Sequence, residues 1–119
     1  MRKTRILLAG LPLAAAIGSA TGAMAHHSFA QFDITRSLML EGTVTRFDWT
    51  NPHSWIFLDV PGTGNVMQSW MIELPAAAAL AREGWTKTFV KPGEKIAVRI
   101  NPLKDGGRAG LLQSFTPGE

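Results

Sequence analysis

Three observations predict an all-β fold with one short helix, a five-stranded and partly open barrel of the OB-fold type. Runs of apolar residues alternate with polar ones at a period of two along most of the chain, an Ala-rich stretch interrupts them once, and the first run changes phase part-way. Three meandering strands, a helix and two further strands, with a long bent first strand, is the element order of that barrel.

Residues 1–25 stand apart from the fold. Arg2, Lys3 and Arg5 form a basic start, Ile6 to Ala20 an apolar middle, and Ala23-Met24-Ala25 a small-x-small cleavage pattern, which together predict a secretory signal peptide cut after Ala25. The apolar run is broken by Gly10, Pro12 and Gly18 and falls short of a membrane span, so no integral span is expected in the mature form. A bacterial periplasmic or secreted location follows. Removing 25 of 119 residues leaves 94, read as a single domain over 26–119. Three of the twelve Lys and Arg residues go with the signal, leaving nine against nine Asp and Glu. A formally neutral chain lacks the basic footprint of a nucleic-acid binder. There is no Cys, so apolar packing and the β-ladder must hold the domain together.

Residues 26–37 read as an N-terminal arm that Phe29 and Phe32 can pin to the domain, near Trp49 or Trp55 if the arm folds back across the turn at Thr50. In the first strand Leu38, Leu40 and Val44 fall at even positions and Phe47 and Trp49 at odd ones, which predicts a bulge near Thr45 and Arg46. Thr50-Asn51-Pro52 is a turn. The second strand sets Ile56, Leu58 and Val60 on the core side and Trp55, Phe57 and Asp59 on the other. Pro61 to Asn65 has hairpin-turn composition. The third strand puts Val66, Trp70, Ile72 and Leu74 inward and leaves Met67, Ser69, Met71 and Glu73 facing solvent. Pro75 at the first helical position and Gly84 past the end bracket a helix of about ten residues. Trp85 to Val90 reads as a capping turn, Lys91-Pro92-Gly93 as another turn, and Ile96, Val98 and Ile100 as the inward face of the fourth strand. From Arg108 to Phe115 the adjacent Leu111 and Leu112 leave the facing of the fifth strand undecided.

His26-His27-Ser28-Phe29, Gly42-Thr43-Val44, Trp49-Thr50-Asn51-Pro52-His53 with Trp55, Gly84-Trp85-Thr86 and Lys91-Pro92-Gly93 together resemble a family of small exported bacterial proteins classified only as a domain of unknown function. The resemblance covers essentially the whole mature chain. It implies export and one compact β-rich domain, and it carries no activity or ligand with it.

The chemistry-bearing residues cluster around the first turn. Trp49, Asn51, His53, Trp55 and Phe57 form a candidate ligand-binding face, polar at the loop tip and aromatic on either side. The alternative is that they pack against the arm or cover the barrel. His26, His27 and His53 are the three histidines. Cleavage after Ala25 would add the α-amine of His26, giving a nitrogen-rich set suited to copper, with Met67 or Met71 as soft donors for its reduced state. Against this stands a frayed terminus and a His53 that serves only its own turn. No nucleophile elbow, Ser-x-x-Lys or Cys nucleophile is present, so a non-enzymatic module is expected. It would bind an unidentified small ligand or, alternatively, act as an envelope scaffold or protein-interaction domain with no small ligand.

Overall fold

The computed structural model describes residues 29–118. Its elements run β1 (Leu38–Asp48), β2 (Ser54–Pro61), β3 (Met67–Leu74), α1 (Ala77–Arg82), β4 (Lys95–Pro102) and β5 (Ala109–Pro117). The strands close into a barrel in the order β1-β2-β3-β5-β4, with β3 and β5 parallel and every other pair antiparallel. The fold is thus the OB-like barrel that the element order predicts.

Alternation builds the core. Leu40, Val44, Ile56, Leu58, Ile72, Leu74, Ile96, Val98 and Ile100 fill the barrel, joined by Leu80 of α1 and Val90 of the segment after it. Each such side chain contributes about 1.5–3 kcal/mol when fully buried. Beyond Val90, Trp85 stacks on Phe89 at 4.2 Å between ring centres and meets Phe115 at 5.3 Å, which extends the apolar packing of the 85–90 turn.

The phase change in β1 is a bulge: Val44 pairs with Leu58 and Arg46 with Phe57, so Thr45 is the extra residue. The extra residue moves the inward set from Leu40 and Val44 to Phe47. A second bulge explains the undecided β5. Arg99 pairs with Ser114 and Ile100 with Leu112, leaving Gln113 unmatched, so Leu112 on one side of it and Phe115 on the other both pack on the core.

Other expectations are corrected. Val66 is exposed and β3 begins one residue later. The hairpin turn between β2 and β3 is as expected, with positive φ at Gly64 and Asn65, and residues 63–65 within it form a 3-10 turn. The helix spans 6 residues and starts after Pro75, whose carbonyl is occupied in accepting from the Ser54 amide. Gly84, at φ 91°, ends it as expected.

The arm docks away from Trp49 and Trp55. Phe32, 3% exposed, bridges to Leu103 beyond the end of β4, and its neighbours exchange backbone bonds with the β4–β5 connection: Asp33 N–H to the Pro102 carbonyl at 2.8 Å and Lys104 N–H to the Gln31 carbonyl at 2.9 Å. Asn101, itself buried, donates from Nδ2 to the Arg36 carbonyl. The Thr35 hydroxyl and amide both donate to Asp33, holding its carboxyl below the usual carboxylate range. Among the described residues no helix is long and apolar enough to cross a membrane.

Candidate functional site

The turn between β1 and β2 is built as a lock on α1. The N-cap position, Ala76, has no side chain able to cap, so the first helical amides turn to the loop. The Thr50 carbonyl accepts from Ala77 N–H at 3.0 Å and Asn51 Oδ1 accepts from Ala78 N–H at 3.2 Å. The Ser54 side chain, fully buried, closes the loop by accepting from the Thr50 amide and donating to the Thr50 carbonyl. The Thr50 hydroxyl donates to the His53 carbonyl. Asn51-Pro52 is a cis peptide bond. Asn51 therefore has a structural partner, and Trp49 packs half-buried against the core with its ring edge-on to Phe47 at 6.0 Å.

His53, Trp55 and Phe57 stand on the outer face of the barrel, each half-buried. Strand register arranges their neighbours in rows. Asp48, Trp55, Glu73 and Leu111 form one row across β1, β2, β3 and β5, and Arg46, Phe57, Met71 and Ala109 form the next. Arg46 lies 4.0 Å above the Phe57 ring and pairs with Asp48 at 3.0 Å, so its charge is directed along the face.

Glu73 differs most from its expected place. Its position alternates outward as read from the sequence, yet it is only 2% exposed, because the register seats it between Trp55 and Leu111. Burying a carboxylate is costly unless it is paired. His53 supplies a pairing, its Nδ1 standing 3.2 Å from Glu73 Oε1. Trp55 then flanks the imidazole, ring edge to ring at 6.5 Å. With Nδ1 turned to the carboxylate, Nε2 is the ring nitrogen left for a ligand, and about a third of the His53 side chain is exposed. Sequence reasoning named His53 but missed Glu73. The one signal available was a charged residue in an otherwise core-like run, Ile72-Glu73-Leu74.

His26 and His27 lie outside the described residues. The described end of the arm, where the Phe32 amide is bonded to the Phe29 carbonyl, lies four strand steps from Phe57, by way of Leu103, Ala109 and Met71, roughly 19 Å over the outer face. Among the described residues no three His, Cys, Asp or Glu side chains converge as a metal group.

A groove of about 610 Å³ lies elsewhere, between Glu41–Thr43, Asp59, Met67 and Lys95–Ala97. It holds neither histidine nor aromatic side chain, and volume alone does not outweigh the paired imidazole and aromatic face.

No curated protein matches this chain. A family model described as "Family of unknown function (DUF6152)" matches residues 15–113.

Proposed function

The chain belongs to this family of unknown function, and we propose that it is an exported periplasmic module that binds a small ligand on the outer face around His53, Trp55 and Phe57, without catalysing a reaction. One observation carries the reading: an imidazole about a third exposed, oriented by a buried carboxylate, beside the Trp55 ring. Aromatic faces supply contact area, and a few fixed polar groups set the orientation of what binds. Export is supported by the basic start, the apolar run and Ala23-Met24-Ala25.

Native mass spectrometry of protein isolated from periplasm tests the reading. The wild-type chain should retain a non-covalent adduct, and the Trp55→Ala and His53→Ala variants should lose it while their circular dichroism is unchanged. A wild-type chain without adduct that crosslinks to another envelope protein would replace the reading with that of a scaffold.

A further inference from the structure

β1 leaves part of one edge unpaired. It pairs with β4 from Leu38 to Thr43, and with β2 only from Thr43 onward, where Thr43 faces Asp59. Val44 donates its amide to the Glu94 carbonyl and accepts from Gly93 N–H, so both of its backbone groups point to the β4 side. Backbone groups alternate sides along a strand, and those of Met39 and Glu41 therefore point the other way, toward β2. In continued register the partner of Glu41 would be Pro61, the last residue of β2, which has no amide hydrogen to give. Among the described residues the amides and carbonyls of Met39 and Glu41 thus have no strand partner on that side. The groove of about 610 Å³ opens here, lined by Glu41–Thr43 of β1 and by Asp59, Pro61 and Met67 across from it. Apolar side chains border it without cover: Met39 is 52% exposed, Met67 60% and Val66 67%. Of the charged side chains that line it, Glu41 and Asp59 are acidic and Lys95 alone is basic.

We propose that this edge of β1 receives an extended peptide segment of a partner protein as an added strand, apolar on its inward face and carrying a basic residue opposite Glu41. Edge geometry names the occupant. Unpaired N–H and C=O groups at strand spacing are satisfied by another extended backbone, which is how peptides add to exposed sheet edges. Leu40, between the two free residues, is buried, so the side chains of an added strand that turn inward beside it must be apolar. Charge then chooses the outward side chain, since opposite charges facing across strands stabilise and like charges oppose. A second copy of this chain fits less well: pairing Met39 with Glu41 in both directions makes the two Glu41 carboxylates diagonal neighbours, about 7–8 Å apart. His53 lies before the start of β2 and Pro61 at its end, so this docking edge is separate from the small-ligand face and does not depend on it.

The test is a titration of the exported chain with a synthetic Thr-Val-Lys-Val-Lys-Val-Thr peptide, followed by NMR and amide hydrogen exchange. In dilute free protein the amides of Met39 and Glu41 should exchange much faster than those of Leu40 and Gly42, and saturating peptide should protect them. The same peptide N-methylated at both lysines, unable to donate to β1, should not bind. Glu41→Lys should weaken binding on the order of tenfold, as an attractive cross-strand pair becomes a repulsive one. Glu41→Pro should abolish it with circular dichroism unchanged, because proline is tolerated where the strand amide faces outward. Ser69→Pro, on the part of β3 that precedes its pairing with β5, should leave affinity as it is. No binding of the peptide, or binding that survives Glu41→Pro and is lost in Ser69→Pro, would overturn the site. Met39 and Glu41 amides already protected in the dilute free chain would overturn it by showing that the chain covers its own edge. Protection that appears without peptide only at high protein concentration would replace the partner segment with a second copy.

Discussion

At the scale of single residues, the loop between β1 and β2 shows how one side chain type serves two ends. Asn51 has the composition of a turn and of a ligand contact, and its partner is the Ala78 amide, 27 residues away in sequence. Nothing local to Thr50-Asn51-Pro52 announces that partner. Asn51→Ala should therefore destabilise the domain by about 1 kcal/mol, the usual cost of losing a helix cap, and Asn51→Asp should restore most of it, as both are good capping residues. Urea denaturation measures both; an Asn51→Ala variant as stable as wild type would mean that the loop, and not its amide oxygen, holds α1. Glu73 is the counterpart on the other side of the turn. Alternation alone sends it outward, and only the register of β2 and β5 reveals that outward here is covered.

At the scale of elements, both irregular strands owe their facing to one extra residue. The bulge at Thr45 was legible because well-separated apolar residues on either side changed parity. The bulge at Gln113 was not, since Leu111 and Leu112 are adjacent and hide the change. β1 also shifts from β4 to β2 along its length, with Thr43 paired to both Lys95 and Asp59. Gly42 sits at that transfer, and a Cβ there would lie 2.5 Å from the Asp59 carbonyl oxygen and 3.0 Å from a Val60 methyl. Backbone cannot yield as a side-chain tip does, so Gly42→Ala should cost about 1–3 kcal/mol, as overpacking does. A shift of the urea midpoint without a change of slope would confirm a native-state strain; an unshifted midpoint would show that β1 can move off β2.

At the scale of the whole molecule, the described part of the arm docks on one side of the barrel. Phe32 ties the arm to the β4–β5 side, which sets the Phe29–Phe32 turn four strand steps away from Phe57. The proposed processing after Ala25 would create a free amine on His26. N-terminal sequencing of exported protein should begin His-His-Ser-Phe. Any other start would remove the terminal amine and the His26 imidazole from consideration as one chelate, without touching the face around His53 and Trp55.

Local sequence was enough for the strands, the inward faces of β1, β2 and β4, the bend in β1 and the stop at Gly84, because alternation, bulge parity and glycine at positive φ are effects of near neighbours. The same local pattern, with one Ala-rich break, also sufficed for the barrel, since few ways exist to bury five amphipathic strands in so short a chain. It named the face around Trp49, His53 and Trp55 as chemical. Which of those residues remain open to a ligand was decided by contacts between distant segments: α1 occupies Asn51, the core takes Trp49, and β3 brings Glu73 to the imidazole of His53. Those pairings depend on strand register and closure of the barrel, which no window of neighbouring residues contains.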